Sequence, residues 1–326
     1  MEKKKTEFRH DVLSNDWVVV APKRRLRIKD KENCPFCDIK DRKPILIFNK
    51  GKKVKDLKEW TTAVIPNKYP VLSSKEKIKE EKKDELHIKM TSGGFHEIVV
   101  TREHNKPMAK LSIERIKEVI QCYKERHLEL KKHDFVKYIL VFHNHGKDAG
   151  ASQKHPHSQI LTAPVIDKEF RIILSNAKKY FKENKSCLQC KINELEIKDK
   201  KRIVFENKDF IAFCPFAPKF LFQVMISPKK HSAFFDEITD DEMTSLAEVF
   251  KEVLLMYNAV LTDPPYNFYL HTVPCKKNIS HSYFHWYFNF FPRLSKLAGF
   301  EMGANMEILV RTPEEQARLL RNKKHV

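Results

Sequence analysis

The sequence predicts an α+β protein made of two similar repeats, each an antiparallel sheet with flanking helices. Three observations lead there. Two C-x-x-C pairs, CPFC (Cys34, Cys37) and CLQC (Cys187, Cys190), stand in different halves of the chain. A histidine follows each pair behind an apolar run of strand character, His104 after IVV and His231 after FQVMI. The segments HPHSQ and HWYFN then align, setting His155 over His285, His157 over Tyr287 and Gln159 over Asn289.

The elements follow in order. Behind His104, Leu111 and Ser112 lead into a helical pattern, and Ser112 is suited to cap it. Tyr138–Phe142 (YILVF) reads as a strand, and the segment carrying His155 and His157 as another, which ends the first repeat (1–163). The connecting segment 164–186 is expected to be helical, because Asp167–Glu183 sets Phe170, Ile173, Leu174, Ala177 and Phe181 along one face. In the second repeat (187–326), Thr239 with Glu242 makes a capping box after His231. Tyr266–Leu270 (YNFYL) and the segment with His285 read as strands, and TPEEQARLLRNKKHV as a short helix capped by Thr312.

Bulk properties bound the function. The 326 residues are 41% hydrophobic, enough for one large core or two ordinary ones. The opening MEKKKTEFRHD has no apolar stretch of secretory type, and no apolar run approaches the roughly 20 residues that span a bilayer. The expectation is a cytoplasmic protein with no membrane partner. Seven cysteines in a reducing compartment argue against a disulfide framework, and Cys122, Cys214 and Cys275 read as packed thiols. The net charge of +19 suits polyanions, but the lysines are interspersed with acids, so a solvated surface is preferred over a zinc-stapled nucleic-acid-binding protein.

Thiolate and imidazole in fours are what a closed Zn²⁺ site takes. Each repeat supplies such a set: Cys34, Cys37, His104 and His155, then Cys187, Cys190, His231 and His285. Two structural zinc ions are therefore expected. The alternatives are one all-cysteine ribbon or a redox pair, against which stand the separate histidines and the lack of a βαβ context.

His157 has lost its counterpart in the second repeat, so its role differs from that of His155. Side chains at i and i+2 of a strand share a face, and Pro156 keeps the pair extended. A neutral imidazole is a competent nucleophile toward phosphorus near pH 7. The preceding FHNHGKDAGAS offers Asn144, Gly146, Lys147, Gly150 and Ser152 as phosphate donors, with Arg24 and Arg27 as clamp candidates. His96 in GGFHEIVV either lines the cleft or sits structurally at a strand edge, and Glu301 is a candidate for sugar hydroxyls.

With these residues assembled, the chain resembles the galactose-1-phosphate uridylyltransferase family of the histidine-triad superfamily. The likeness spans FRHDVLSNDWVVVAPKRR, CPFC, PNKYPVL, EHNKPMAKLS, FHNHGKDAGASQKHPHSQI, CPFAPKFLFQVMISPKKHSAFF and FHWYFNFFPRLSKLAGFEMG. It implies histidine-triad-like half-barrels, a homodimer, and transfer of a nucleoside monophosphate from a nucleotide sugar to a sugar 1-phosphate. It implies His157 as the nucleophile that carries the nucleotide, with Gln159 on the transferred phosphoryl group. It further implies Asn144 and Ser152 near the phosphates, Asn67 near the nucleotide, and Phe300 near the hexose. Two departures stand out. The family often reads H-P-H-G-Q where this chain has Ser158, and GFEMGANMEI shows Gly299, Ala304 and Asn305 where some members bind hexose phosphate. The wording NHG…GAS…HSQ is similar to a sister group that transfers adenylyl groups from ADP-glucose to phosphate. UDP-glucose with galactose 1-phosphate is the preferred pair, and ADP-glucose or dinucleotide-polyphosphate adenylyl transfer or phosphorolysis is the alternative.

Overall fold

The apolar runs form antiparallel strands, seen over residues 5–22, 24, 34–74, 76–275 and 281–322 of a computed structural model. Along the chain come β1 (Glu7–Asp11), β2 (Asp16–Val20), β3 (Leu46–Asn49), β4 (Lys52–Val54), β5 (Thr62–Pro66), β6 (Glu80–Lys82), β7 (Ile88–Thr91) and β8 (His96–Thr101). The first half continues with α1 (Ile113–Leu130), β9 (Tyr138–His145) and β10 (His157–Ala163). Next are α2 (Lys168–Asn184), α3 (Leu188–Asp199), β11 (Ile203–Glu206), β12 (Phe210–Phe213) and β13 (Val224–Pro228). The second half continues with α4 (Asp240–Leu261), β14 (Tyr266–His271), β15 (Tyr287–Pro292), α5 (Gly299–Ala304) and α6 (Pro313–Asn322).

The α+β expectation holds, and the two repeats share one sheet. Eleven strands run in the order β11-β12-β13-β15-β14-β9-β10-β8-β5-β3-β4, while β2-β1-β7-β6 form a separate four-stranded sheet. The repeats meet where β9 pairs with β14. Ser158 pairs with His143, and its counterpart Phe288 pairs with Leu270, which makes Phe142 and Tyr269 counterparts. Those two residues face one another across the joint, so a local two-fold runs between β9 and β14.

One face of this sheet is the core. Val99, Val141, Ile160, Phe268 and Phe290 pack there against Ile116 and Ile120 of α1 and Leu246, Phe250 and Val253 of α4. Full burial of each such side chain contributes about 1.5–3 kcal/mol. The helices start where their caps stand: Ser112 accepts from the Arg115 amide, and Thr239 and Glu242 close a reciprocal box. α2, capped by Asp167, covers part of the opposite face, where Phe170 and Ala177 pack with Tyr138, Phe284 and Tyr287. α3 was not legible as a helix: Cys187 stands at its N-cap position, without a side-chain capping bond, and Cys190 lies inside it, whereas Pro35 in CPFC belongs to a turn. Among the described residues no helix is long and apolar enough to cross a membrane.

Candidate active site and metal centres

Both Cys2His2 sets assemble, each from its own half, which rules out a shared all-cysteine cluster. The ligand atoms of Cys34, Cys37, His104 and His155, and those of Cys187, Cys190, His231 and His285, lie within 4.8 Å of one another in each set. In the first, His155 Nδ1 is 3.4 Å from Cys34 Sγ, and His104 Nδ1 is 3.0 Å from Cys37 Sγ. In the second, Cys190 Sγ is 3.3 Å from His231 Nδ1 and 3.4 Å from His285 Nδ1. Edges of about 3.5 Å are what a tetrahedral ion with bonds of about 2.0–2.3 Å requires.

The tautomer of His155 agrees. Its Nε2 donates to the Thr101 carbonyl at 2.8 Å, so Nδ1 carries the lone pair and faces the thiols. Burial pushes the His155 pKa below its ordinary value, which keeps the ring neutral. In the second set, hydrogen bonds from Cys190, and then from His231 and His285, draw the Cys187 thiol down towards thiolate, despite burial. Its partner Cys190 is pushed up by its hydrogen bond to Cys187 and by burial, so the pair holds a shared thiol proton that a bound cation would displace. With two thiols and two imidazoles in each, both sets fit a closed four-coordinate metal.

His157 opens β10, two residues beyond His155, and is buried. Its Nδ1 lies 3.0 Å from the His155 carbonyl. A carbonyl only accepts, so Nδ1 holds the proton and the lone pair is on Nε2. Phe36, from the CPFC turn, packs against both rings, with centroids 5.9 Å from His155 and 4.8 Å from His157. The two imidazoles therefore share a side, as an extended backbone requires. Phe36 stood in plain view in the sequence, but nothing there indicated its contact.

Gln159 follows on the same face. Its Oε1 lies 2.9 Å from His96 Nε2, and the Val71 amide donates to His96 Nδ1 at 3.1 Å. The ring proton is thus on Nε2 and is donated to Gln159, which turns the Gln159 NH2 away from His96. β8 is paired on both sides, with β5 and β10, so His96 is interior rather than at a sheet edge. Asn67 lies beside this group, its Oδ1 accepting from the Tyr69 amide; its Nδ2 stands 3.0 Å from His96 Nε2, but both nitrogens carry protons, so this approach is not a hydrogen bond.

Asn144 lies on β9, and the register that pairs Ser158 with His143, continued by one residue, sets it beside His157. The turn after it needs left-handed backbone at Gly146 (φ 80) and Gly150 (φ 81), and Ala151 N–H donates to the Gly146 carbonyl at 3.1 Å. Lys147 and Ser152 are exposed along it. Arg24 is half-buried, its amide on the Ala21 carbonyl, and Arg27 lies outside the described residues. Phe300 and Glu301 are on α5, where Phe300 is exposed and Glu301 accepts from the Ala298 amide.

Ser158 faces the other way. It sits in the core under α1, where the Tyr123 hydroxyl donates to its Oγ at 2.5 Å and His143 Nδ1 lies 3.0 Å away. The departure from H-P-H-G-Q is therefore not on the face of His157.

Among the described residues, the second half has no equivalent of His157. Tyr287 holds the position of His157 and is buried, and it pairs with His271, the counterpart of Asn144. His271 stacks on Phe170 at 4.5 Å and meets the Tyr138 hydroxyl at 3.1 Å. Asn289 is held between Gln223 and Tyr269, each at 3.3 Å. Aromatic rings fill the place that His157 and the turn 146–151 take in the first half.

Comparison with known proteins now decides the family. Residues 1–167 match the N-terminal domain of galactose-1-phosphate uridyl transferase, and residues 173–322 match its C-terminal domain. The chain belongs to the galactose-1-phosphate uridylyltransferase family. Members of this family similar to the chain include an ADP-glucose phosphorylase of Arabidopsis thaliana, 32% identical over 98% of this chain and 94% of the relative. A galactose-1-phosphate uridylyltransferase of Thermotoga maritima is 30% identical over 97% of this chain and 98% of its own. Among solved structures, a uridylyltransferase superposes with a TM-score of 0.84 at 30% identity, covering 97% of this chain and 98% of its own. An Arabidopsis thaliana ADP-glucose phosphorylase with bound ADP-glucose gives 0.76 at 30% identity, covering 98% of both chains.

Proposed function

We propose that this chain is a nucleotidyltransferase that moves a nucleoside monophosphate from a nucleotide sugar to a hexose 1-phosphate by way of a nucleotidyl-His157. The observation that carries the reading is the bond from His157 Nδ1 to the His155 carbonyl, which assigns the lone pair to Nε2. Nε2 attacks the α-phosphorus: the N–P bond forms, the P–O bond to the sugar 1-phosphate breaks, and the sugar phosphate leaves with that electron pair. The proton stays on Nδ1 throughout, donated to the His155 carbonyl, which stabilises the cationic ring. An acceptor phosphate oxygen then attacks phosphorus and the N–P bond breaks, which restores neutral His157. No proton is consumed. The Gln159 amide, the Asn144 amide and the turn with Gly150 and Ser152 supply donors to the phosphoryl oxygens, Arg24 and Arg27 clamp the phosphates, and Asn67 lies on the nucleotide side.

UDP-glucose and galactose 1-phosphate are the preferred donor and acceptor; the name of the Thermotoga maritima relative carries the galactose 1-phosphate and the uridylyl group. Adenylyl transfer from ADP-glucose to phosphate is the second reading, favoured by the relative 32% identical over 98% of this chain. We assign zinc to both Cys2His2 sets, as structural ions outside the chemistry. Clusters of free thiols suit a reducing, cytoplasmic setting. A homodimer is supported by the run of exposed apolar side chains Leu297, Phe300, Met302, Met306, Ile308 and Val310, which a second copy would cover. Phe300 and Glu301, both on α5, are assigned to the hexose.

The test is covalent labelling. Protein incubated with UDP-glucose labelled at the α-phosphate, and separately with labelled ADP-glucose, is denatured and counted. Wild type is expected to retain label from one donor, and His157→Ala from neither. Label that persists in His157→Ala, or none on wild type with either donor, sinks the mechanism.

A further inference from the structure

Asn267 belongs to the half that has no nucleophile, yet its side chain is committed to the half that has one. The pairing of β14 with β9 sets it opposite Asn144. Its Nδ2 donates to Asn144 Oδ1 at 2.8 Å and to the Ala149 carbonyl at 2.9 Å. A primary amide nitrogen has two protons, so both are used.

Two consequences follow at the site. Because Asn144 Oδ1 accepts from Asn267, the Asn144 NH2 is held on the other side of that amide, at the rim of the turn. A Cβ on Gly150 would stand 4.0 Å from Asn144 Nδ2. The second bond anchors the turn itself through Ala149, between Gly146 and Ala151, whose own closing bond is 3.1 Å. The turn also rests on the second half at Gly146, where a Cβ would come within 2.8 Å of the Pro265 side chain.

We propose that Asn267 is a positioning residue for nucleotidyl transfer. It locks the Asn144 amide and the turn 146–151 so that N–H groups, not carbonyl oxygens, face the phosphate at His157. The inference rests on the functional reading above. It also gives the plugged second repeat a role, since it braces the phosphate turn of the first across the local two-fold.

Asn267→Asp tests this at nearly constant shape. The carboxylate replaces both donated protons with acceptors, so Asn144 must turn its NH2 towards residue 267 and present Oδ1 to the phosphate. Single-turnover labelling of His157 is expected to slow by about 100-fold, the scale of losing one donor to a developing oxyanion. The apparent Kd for the nucleotide sugar should change far less. Asn267→Ala, which imposes no repulsion, should slow labelling by a smaller factor, and it serves if the aspartate variant does not fold. In an Asn144→Ala background the same substitutions should lose most of their effect, a coupling that a merely structural role would not produce. Wild-type labelling rates in folded Asn267→Asp, or equal slowing with and without Asn144, overturn the proposal and leave the function intact. Failure of the wild type itself to label overturns both.

Discussion

Two bonds to main-chain carbonyls divide the labour between the histidines on either side of Pro156. His155 donates from Nε2 to the Thr101 carbonyl and turns Nδ1 to the thiols; His157 donates from Nδ1 to the His155 carbonyl and keeps the Nε2 lone pair for the proposed attack on phosphorus. The same residue type thus acquires opposite tautomers within three positions, and each tautomer suits a different task. The neighbour Ser158 shows how strictly a strand separates faces. Its Oγ serves Tyr123 and His143 in the core. Ser158→Gly, the residue common in the family, is expected to strand both partners and cost about 1–3 kcal/mol in urea unfolding. Labelling of His157 should stay within a few-fold of wild type. A variant of normal stability that labels poorly would place Ser158 in the site after all.

At the scale of elements, each Cys2His2 set gathers a local unit onto strand ends, and the zinc proposed for it would staple them. The first ties the CPFC turn to the residues after β8 and before β10, and the second ties the start of α3 to those after β13 and before β15. In the first half the staple also sets Phe36 against His157. Cys34→Ser is therefore expected to lower the melting temperature by about 5–10 °C, the result of losing a few kcal/mol of metal-linked stability. Bound metal should drop by one equivalent per chain. An unchanged melt together with undiminished metal content counts against the site. The second set should be indifferent to this change, because its ligands come from other elements.

Over the whole molecule, the halves are joined by more than the sheet. Asp236, just before α4, is buried and pairs with His127 and Lys131 at the end of α1, with His127 Nδ1 at 3.0 Å. Burial by itself would raise the Asp236 pKa, but the His127 and Lys131 contacts outweigh it and hold the pKa below its ordinary value. Its stabilising contribution is accordingly full above about pH 4, and is lost as the pH falls through the lower folded value. Asp236→Asn should be less stable than wild type at neutral pH, and the gap should close on acidification below about pH 4. A gap that stays constant from pH 7 into the acid range would show that charge is not what the pair contributes.

The sequence by itself determined the duplication, both ligand sets, the caps at Ser112, Thr239 and Thr312, and the singling out of His157. Each rests on local chemistry or on a period along the chain, and a repeat exposes them by comparison with itself. Only the tertiary structure decided the tautomers, the contact of Phe36, the interior place of His96, the core-facing side of Ser158 and the brace from Asn267. These depend on what residues far apart in the chain set opposite one another: the carbonyl that a ring nitrogen meets, or the partner that a strand register supplies. The union of both repeats in one sheet belongs with them, because strand edges carry no mark in the sequence of which edge they will join.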